Sequence, residues 1–224
     1  MRYFGALPDI FSTIIEEFPD TIFRCILKRW NIDTITGTRI FLSCLFASIF
    51  VAFRINYLSL MHITTLSKNE WKQFRDIRLE ALKNDPLAFG STYKEGLQKT
   101  DEEWQLPLTK ETSHLLFAKD GDEVIGMIAS YQDEGEKCKH VAYVWGVYVR
   151  ELYRGKGIAK KLFEVLFEKL KALHVIKINL NVNTTQEHAK RLYESLGFET
   201  VGTAHKEMYI NGGYYDEYLM EKIL

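Results

Sequence analysis

Several features that would narrow the class of this 224-residue chain at once are scarce or missing. Cysteine is rare: Cys25, Cys44 and Cys138 are scattered, with no CxxC pair and no histidine at metal-ligand spacing. That argues against a disulfide scaffold and fits a reducing compartment, the cytoplasm. Excess charge is missing too, since 29 Lys and Arg against 30 Asp and Glu leave a formal net charge of -1. Nucleic-acid binders usually carry a basic surplus, so no nucleic-acid partner is expected. There is no internal repeat and no low-complexity tract. What remains is ordinary globular composition, 46% hydrophobic and 26% charged, enough for one sizeable core and an appendage.

Residues 1–60 read differently from the rest. Ile40–Phe53 is an uncharged, mostly apolar run of 14 residues between Arg39 and Arg54. As a helix it would extend about 21 Å, short of the roughly 30 Å hydrocarbon core of a bilayer. It also begins too far into the chain for a secretory signal. Three readings compete: a buried or partner-binding helix, a membrane-associating segment, or an extension foreign to the domain. Met61 opens the first stretch that looks like a compact domain, and on the third reading translation starts there. Peptides from residues 1–60 in the native protein would rule that start out. Pro8 and Pro19 bracket a short helix candidate, Asp9–Phe18, to which no function is attached.

From Met61 onward the pattern is regular. His62–Thr65 is a strand candidate, and Ser67-Lys68-Asn69-Glu70 fits the S-x-x-E capping box. Trp71, Phe74, Ile77, Arg78 and Leu82 mark helical spacing up to Asp85-Pro86. Leu87–Gly96 is turn-rich and separates this helix from a second, Thr100–Leu106, stopped by Pro107. Strands are expected at Ser113–Lys119 and Val124–Tyr131, joined by the turn Asp120–Glu123, and at His140–Val149. A helix follows with Ile158, Leu162, Val165, Leu166, Leu170 and Leu173 on one face. Then come a strand, Ile176–Val182, a second capping box, Thr184–Glu187, and a helix ending at Gly197. Phe198–Tyr209 and Tyr214–Lys222 pair through Asn211-Gly212-Gly213. The order β-α-α-β-β-β-α-β-α-β-β contains one strand–helix–strand crossover, so one strand pair is parallel. The fold class is α/β: a mixed, mostly antiparallel sheet with helices on both faces, over residues 61–224.

The stretch Val147–Ala159 carries the chemistry. It reads as a strand end, a glycine loop and a helix start, where free N–H groups and the helix dipole favour an anion. Glycines admit a bulky phosphate, and Arg154 and Lys156 supply mobile positive charge. Nothing matches G-x-x-x-x-G-K-[ST]. A dinucleotide loop needs a third glycine where Lys160 stands, and the order of elements is wrong for that fold.

Arg154-Gly155-Lys156-Gly157-Ile158-Ala159 matches [QR]-x-x-G-x-[GA], and here the chain resembles the GCN5-related N-acetyltransferases. Asn183, Ala189, Leu192, Tyr193, Leu196, Gly197 and Phe198 are similar to that superfamily's downstream N…A..LY…LGF pattern. Tyr215–Glu221 looks like its C-terminal strand, and Ile77–Ser91 resembles the N-terminal helix region of a bacterial subset. The resemblance covers residues 61–224 and none of 1–60.

It implies a central parallel strand pair splayed apart, parting beside Tyr148, and acetyl-CoA as co-substrate. The amides of Arg154, Gly155, Lys156, Gly157, Ile158 and Ala159 would bind the pyrophosphate. The backbone of Val147, Tyr148 and Val149 would take the pantetheine arm. Tyr193 would be the general acid, although helical spacing alone makes it a core tyrosine. Asn183 is either a helix-cap residue or a contact to the arm. Lys190 and Arg191 are either phosphate contacts or surface charge. The acceptor is a primary amine, on a small molecule or a protein. A lysine-type amine costs roughly 4–5 kcal/mol to deprotonate at pH 7, an α-amine about 1. Glu95, His140, Glu151 and Tyr148 are candidate bases, with a water relay equal to them. The rival function is a non-catalytic acyl-CoA-binding module on the same fold. Oligomeric state is open, a homodimer included.

Overall fold

The computed structural model of the chain describes residues 61–224. The Asp9–Phe18 and Ile40–Phe53 segments lie outside the described residues. In chain order the elements are β1 (Met61–Thr64), α1 (Trp71–Asn84), α2 (Tyr93–Gln98), α3 (Asp101–Thr109), β2 (Ser113–Asp120), β3 (Glu123–Gln132) and β4 (Val141–Val149). They continue with α4 (Ile158–Ala172), β5 (Lys177–Asn183), α5 (Glu187–Ser195), β6 (Glu199–Ile210) and β7 (Gly213–Ile223). Single 3₁₀ turns lie at Lys68–Glu70, Pro86–Ala88 and Glu151–Tyr153.

The strands form one sheet of seven in the order β1-β2-β3-β4-β5-β7-β6. Its neighbours are antiparallel except β4 and β5, the pair joined by the crossover through α4. Asn211 and Gly212 take positive φ of 51° and 84°, the backbone of a tight β6–β7 hairpin turn.

Alternation along the strands builds a core on each face. Leu116, Ala118, Ile125 and Ile128 point to one side, with Ile158, Leu162, Phe163, Leu166 and Leu170 of α4 and Tyr193 of α5. Leu115, Phe117, Met127 and Ala129 point to the other, with Trp71, Phe74, Ile77 and Leu82 of α1 and Trp104 of α3. Phe74 meets Trp104 edge-on at 5.3 Å and Phe117 at 6.0 Å. Phe163 does the same for Tyr193 at 5.7 Å and Phe198 at 5.9 Å.

Local details depart from the sequence reading. The Ser67–Glu70 capping box forms, with Ser67 N–H donating to Glu70 Oε2 at 2.9 Å. The second box does not: Asn183, not Thr184, caps the turn, and α5 starts at Glu187. The last four residues of the turn-rich stretch are helical, because Thr92 and Glu95 make a box of their own at the start of α2. Pro107 does not stop α3, which continues to Thr109. A proline removes one N–H near the end of a helix whose Trp104 is already anchored in the core. On α4 the buried stripe runs through Phe163 and Phe167, while Val165 is half-buried and Leu173 is 40% exposed. Among the described residues no helix is long and apolar enough to cross a membrane.

Phe163 is fully buried between α5 and the sheet. Phe163→Ala is expected to lower unfolding free energy by about 3–5 kcal/mol, read as a lower urea midpoint at unchanged slope.

Candidate active site

Strand β4 is bonded to its two neighbours unequally. With β3 it pairs from Gly126↔Val149 to Gln132↔Ala142. With β5 it pairs only at Val141↔Lys177, Ala142↔Ile178 and Tyr143↔Asn179. From Val144 onward the two parallel strands no longer pair, so the parting comes four residues earlier than Tyr148, where the sequence reading placed it. The cause is visible in the β3 ladder. Met127 faces Tyr148 and Ala129 faces Trp145, which leaves one extra residue on β4. Gly146 absorbs it at φ 65°, a backbone open to glycine and strained for other residues. A bulge here turns β4 away from β5, and the gap frees the backbone of Val147, Tyr148 and Val149 on that side.

The loop closes the far end of the gap. Gly155 and Gly157 have φ of 72° and 82°, and a β-carbon on either would meet nothing within 4 Å. Gly157 is the N-cap of α4, and the first helical bond runs from Lys161 N–H to its carbonyl at 3.0 Å. The N–H groups of Ile158, Ala159 and Lys160 therefore have no helical acceptor. This is a concave run of amides at the positive end of a four-turn helix, suited to a phosphate.

The loop is tied to α1 from beneath. Arg150 pairs with Glu80 at 2.9 Å and with Glu123. Tyr148 donates its hydroxyl to Glu80 Oε1 at 3.1 Å and accepts from Asn84 Nδ2 at 3.3 Å. Arg154 is not a mobile charge: its Nε donates to the Val149 carbonyl at 2.8 Å, and its Nη2 pairs with Asp85 at 2.5 Å. Its guanidinium lies 5.6 Å from the Tyr148 ring centre. Lys156 sets its ammonium 5.0 Å from the Tyr153 ring centre.

Tyr193 is buried against Phe163 and Phe198. Burial pushes its phenol up to about 12, so it holds its proton through the neutral range. Asn183 is buried too, and both ends of its amide are engaged within the protein. Oδ1 accepts from the Thr185 amide at 3.0 Å and its hydroxyl at 2.8 Å, and Nδ2 faces the Met208 sulfur at 3.9 Å. Lys190 pairs with Glu194 at 2.9 Å.

None of the candidate bases gains support. Burial raises the Tyr148 phenol, which is bound to a carboxylate as a donor. The Thr92 amide and then its hydroxyl hold Glu95 below the usual carboxylate range, which makes it a weaker base. His140 and Glu151 are exposed, and His140 precedes the paired end of β4.

On the α1 face of the sheet lies a cavity of about 510 Å³, lined by residues of α1, α2, α3 and the intervening loops, and by Trp145 of β4. Arg78 and Glu95 both reach it. Sequence reasoning missed Gly146, Glu80, Asp85 and the role of Arg78. Two of these left a signal: a lone glycine within a strand pattern, and an arginine on the buried stripe of a helix.

The acetyltransferase (GNAT) family model matches residues 71–198 of the chain. The L-amino acid N-acetyltransferase AaaT of Escherichia coli is 30% identical over 127 residues, which are 55% of this chain and 77% of that protein. The crystal structure of a GNAT-family acetyltransferase from Streptococcus pneumoniae superposes with a TM-score of 0.66 at 21% identity, covering 73% of this chain and 99% of that one. The structure of yncA from Salmonella typhimurium with its cofactor acetyl-CoA does so at 0.60 and 19%, covering 73% and 94%. At these identities the superpositions carry the fold, and the family model carries the rest. With its glycine loop, its parted strands and this match over more than half its length, the chain belongs to the acetyltransferase (GNAT) family and is an acetyl-CoA-dependent N-acetyltransferase.

Proposed function

We propose that residues 61–224 form a domain that moves the acetyl group of acetyl-CoA to a primary amine by direct attack on the thioester. The observation that carries this reading is the gap between β4 and β5, with an amide-lined loop following β4 and a cavity that reaches β4 at Trp145, where the strands have parted. The amides of residues 154–159 take the pyrophosphate. The freed edge of Val147, Tyr148 and Val149 takes the pantetheine amides as a strand would. The amine nitrogen attacks the carbonyl carbon and an oxyanion forms, stabilised by an N–H of the same edge. Collapse breaks the carbon–sulfur bond. The Tyr193 phenol gives its proton to the departing thiolate and regains one from solvent, while the amine's proton leaves through water. Asn183 acts by fixing the turn that sets α5, and with it Tyr193, in place.

A proton held up to about 12 suits a donor to sulfur, and it makes Tyr193 useless as a base near neutrality. Tyr193→Phe should lower kcat by about 10²–10⁴-fold while acetyl-CoA affinity by calorimetry stays unchanged. A variant with the wild-type kcat would remove Tyr193 from the mechanism. Tight acetyl-CoA binding with no turnover on any amine would instead favour a non-catalytic acyl-CoA-binding module. The sign of the Tyr193 shift adds a pH expectation: kcat should show no alkaline fall due to this group below about pH 11. Gly157→Ala tests the cradle. Its added methyl meets no protein atom, but φ of 82° strains it. Acetyl-CoA affinity should fall roughly tenfold, the equivalent of about 1.4 kcal/mol, with kcat little changed.

A further inference from the structure

Arg78 is an anomaly in the core. It stands on the buried stripe of α1 and is 8% exposed. Its guanidinium is layered on Phe89 at 4.4 Å and near Trp145 at 5.4 Å. Aromatic faces of this kind hold the plane of the group and leave its N–H edge for a partner. No such partner exists among the described residues: Nη1 is fully buried and makes no hydrogen bond. Buried polar groups left in this state are rare and call for an explanation.

The carboxylates nearby are committed elsewhere. Glu95 and Glu103 line the same cavity, but each holds a backbone amide in a capping box, Thr92 and Thr100 respectively, both at 2.7 Å. Glu80, on the same helix, is taken by Arg150 and Tyr148. Lys99, also at the cavity, adds positive charge over Trp104. Among the described residues, the Arg78 cation at the cavity wall has no anion hydrogen-bonded to it. Position matters as well: Nη1 lies 3.8 Å from where a β-carbon on Gly146 would sit. Gly146 is the bulge at which β4 leaves β5. Nη1 therefore lies beneath the bulge, beside Met127 and Ala129 on the α1 face of the sheet, while Arg78 also lines the cavity there.

We propose that Arg78 is the anchor for a carboxylate on the acceptor, so that the acetylated amine belongs to a small amino carboxylate. This rests on the transferase reading of the same site. A carboxylate matches the guanidinium fork with two parallel hydrogen bonds. Bound there, it places an amine a few bonds away at the edge of the gap, where the carbonyl carbon is attacked. A cavity of about 510 Å³ has the size of a small-ligand site. Arg78 is then a specificity residue that touches the acceptor and takes no proton.

The experiment compares L-amino acids with their primary amides as acceptors for the full chain. Thiol release gives turnover, and calorimetry with coenzyme A present gives acceptor binding. The acids should exceed their amides in kcat/KM by at least tenfold. Arg78→Gln should erase that preference, raising KM for the acids more than it lowers kcat. Arg78→Lys, which keeps the charge and loses the fork, should recover part of it. Unchanged acetyl-CoA affinity in both variants reports an intact fold. Equal use of acids and amides, or an undiminished preference in Arg78→Gln, overturns the anchor and leaves the transferase reading standing. Arg78-dependent binding of the acids with no turnover upholds the anchor and overturns the transferase reading. Neither binding nor turnover of any amino acid overturns the anchor.

Discussion

A strand in the middle of a sheet normally satisfies its backbone on both sides. Here β4 does so on the β3 side along its length apart from the bulge, and for three residue pairs on the β5 side. The rest of the site depends on that inequality. Backbone groups on the open side need hydrogen-bond partners that water or a ligand must supply. One extra residue at Gly146 is enough to create the condition, because a bulge bends its own strand, here away from β5, while pairing with β3 resumes beyond it. The sheet beyond the gap stays continuous, since β5 is held along its whole length by β7. The opening is thus a local defect carried by a rigid frame, and it needs no moving part.

The glycine loop and α1 form one unit for a related reason. A loop that presents bare amides has few internal bonds of its own, so its position must come from outside. Arg150 and Arg154 provide it by reaching back to Glu80 and Asp85, both near the C-terminal half of α1. These pairs are half-exposed, and taken singly such pairs contribute little stability. Their use is geometric: two arginines, a tyrosine and two carboxylates fix the loop relative to the helix that also lines the cavity. A change in α1 is therefore felt at both ends of the gap.

The sequence exposed the parts of this arrangement that are local. The α1 stripe, the β6–β7 turn and the glycine loop follow from spacing within a dozen residues, and the crossover and the mixed sheet follow from the order of the elements. What could not be read was set by distant pairing. The parting of β4 and β5 depends on which residue of β3 faces Trp145, and no pattern within β4 states that. Arg154 looked like a free charge because Asp85 lies far away in sequence. Asn183 and Thr184 compete for the same capping role, and tertiary packing against Met208 decides between them. Phe163 and Phe167 were missed as core residues because α4 is apolar over more than one face, and only the sheet it lies on selects the stripe.

The two faces of the sheet also divide the labour in a way that bears on how the acceptor site can change. The α4 and α5 face holds the fifteen-residue α4, a continuous aromatic cluster and Tyr193, so a substitution there disturbs packing that the sheet itself needs. The opposite face closes the cavity with α2 and α3, of six and nine residues. Each is started by its own capping box and joined by short exposed loops. Helices this short gain stability from their caps more than from length. Among the described residues, neither makes a hydrogen bond or ion pair with the glycine loop, and α3 is held to the core chiefly by Trp104 against Phe74. Such a layout lets acceptor preference change while the acetyl-CoA half stays constant. It also singles out Arg78, which sits on the constant helix α1 and yet faces the changeable wall.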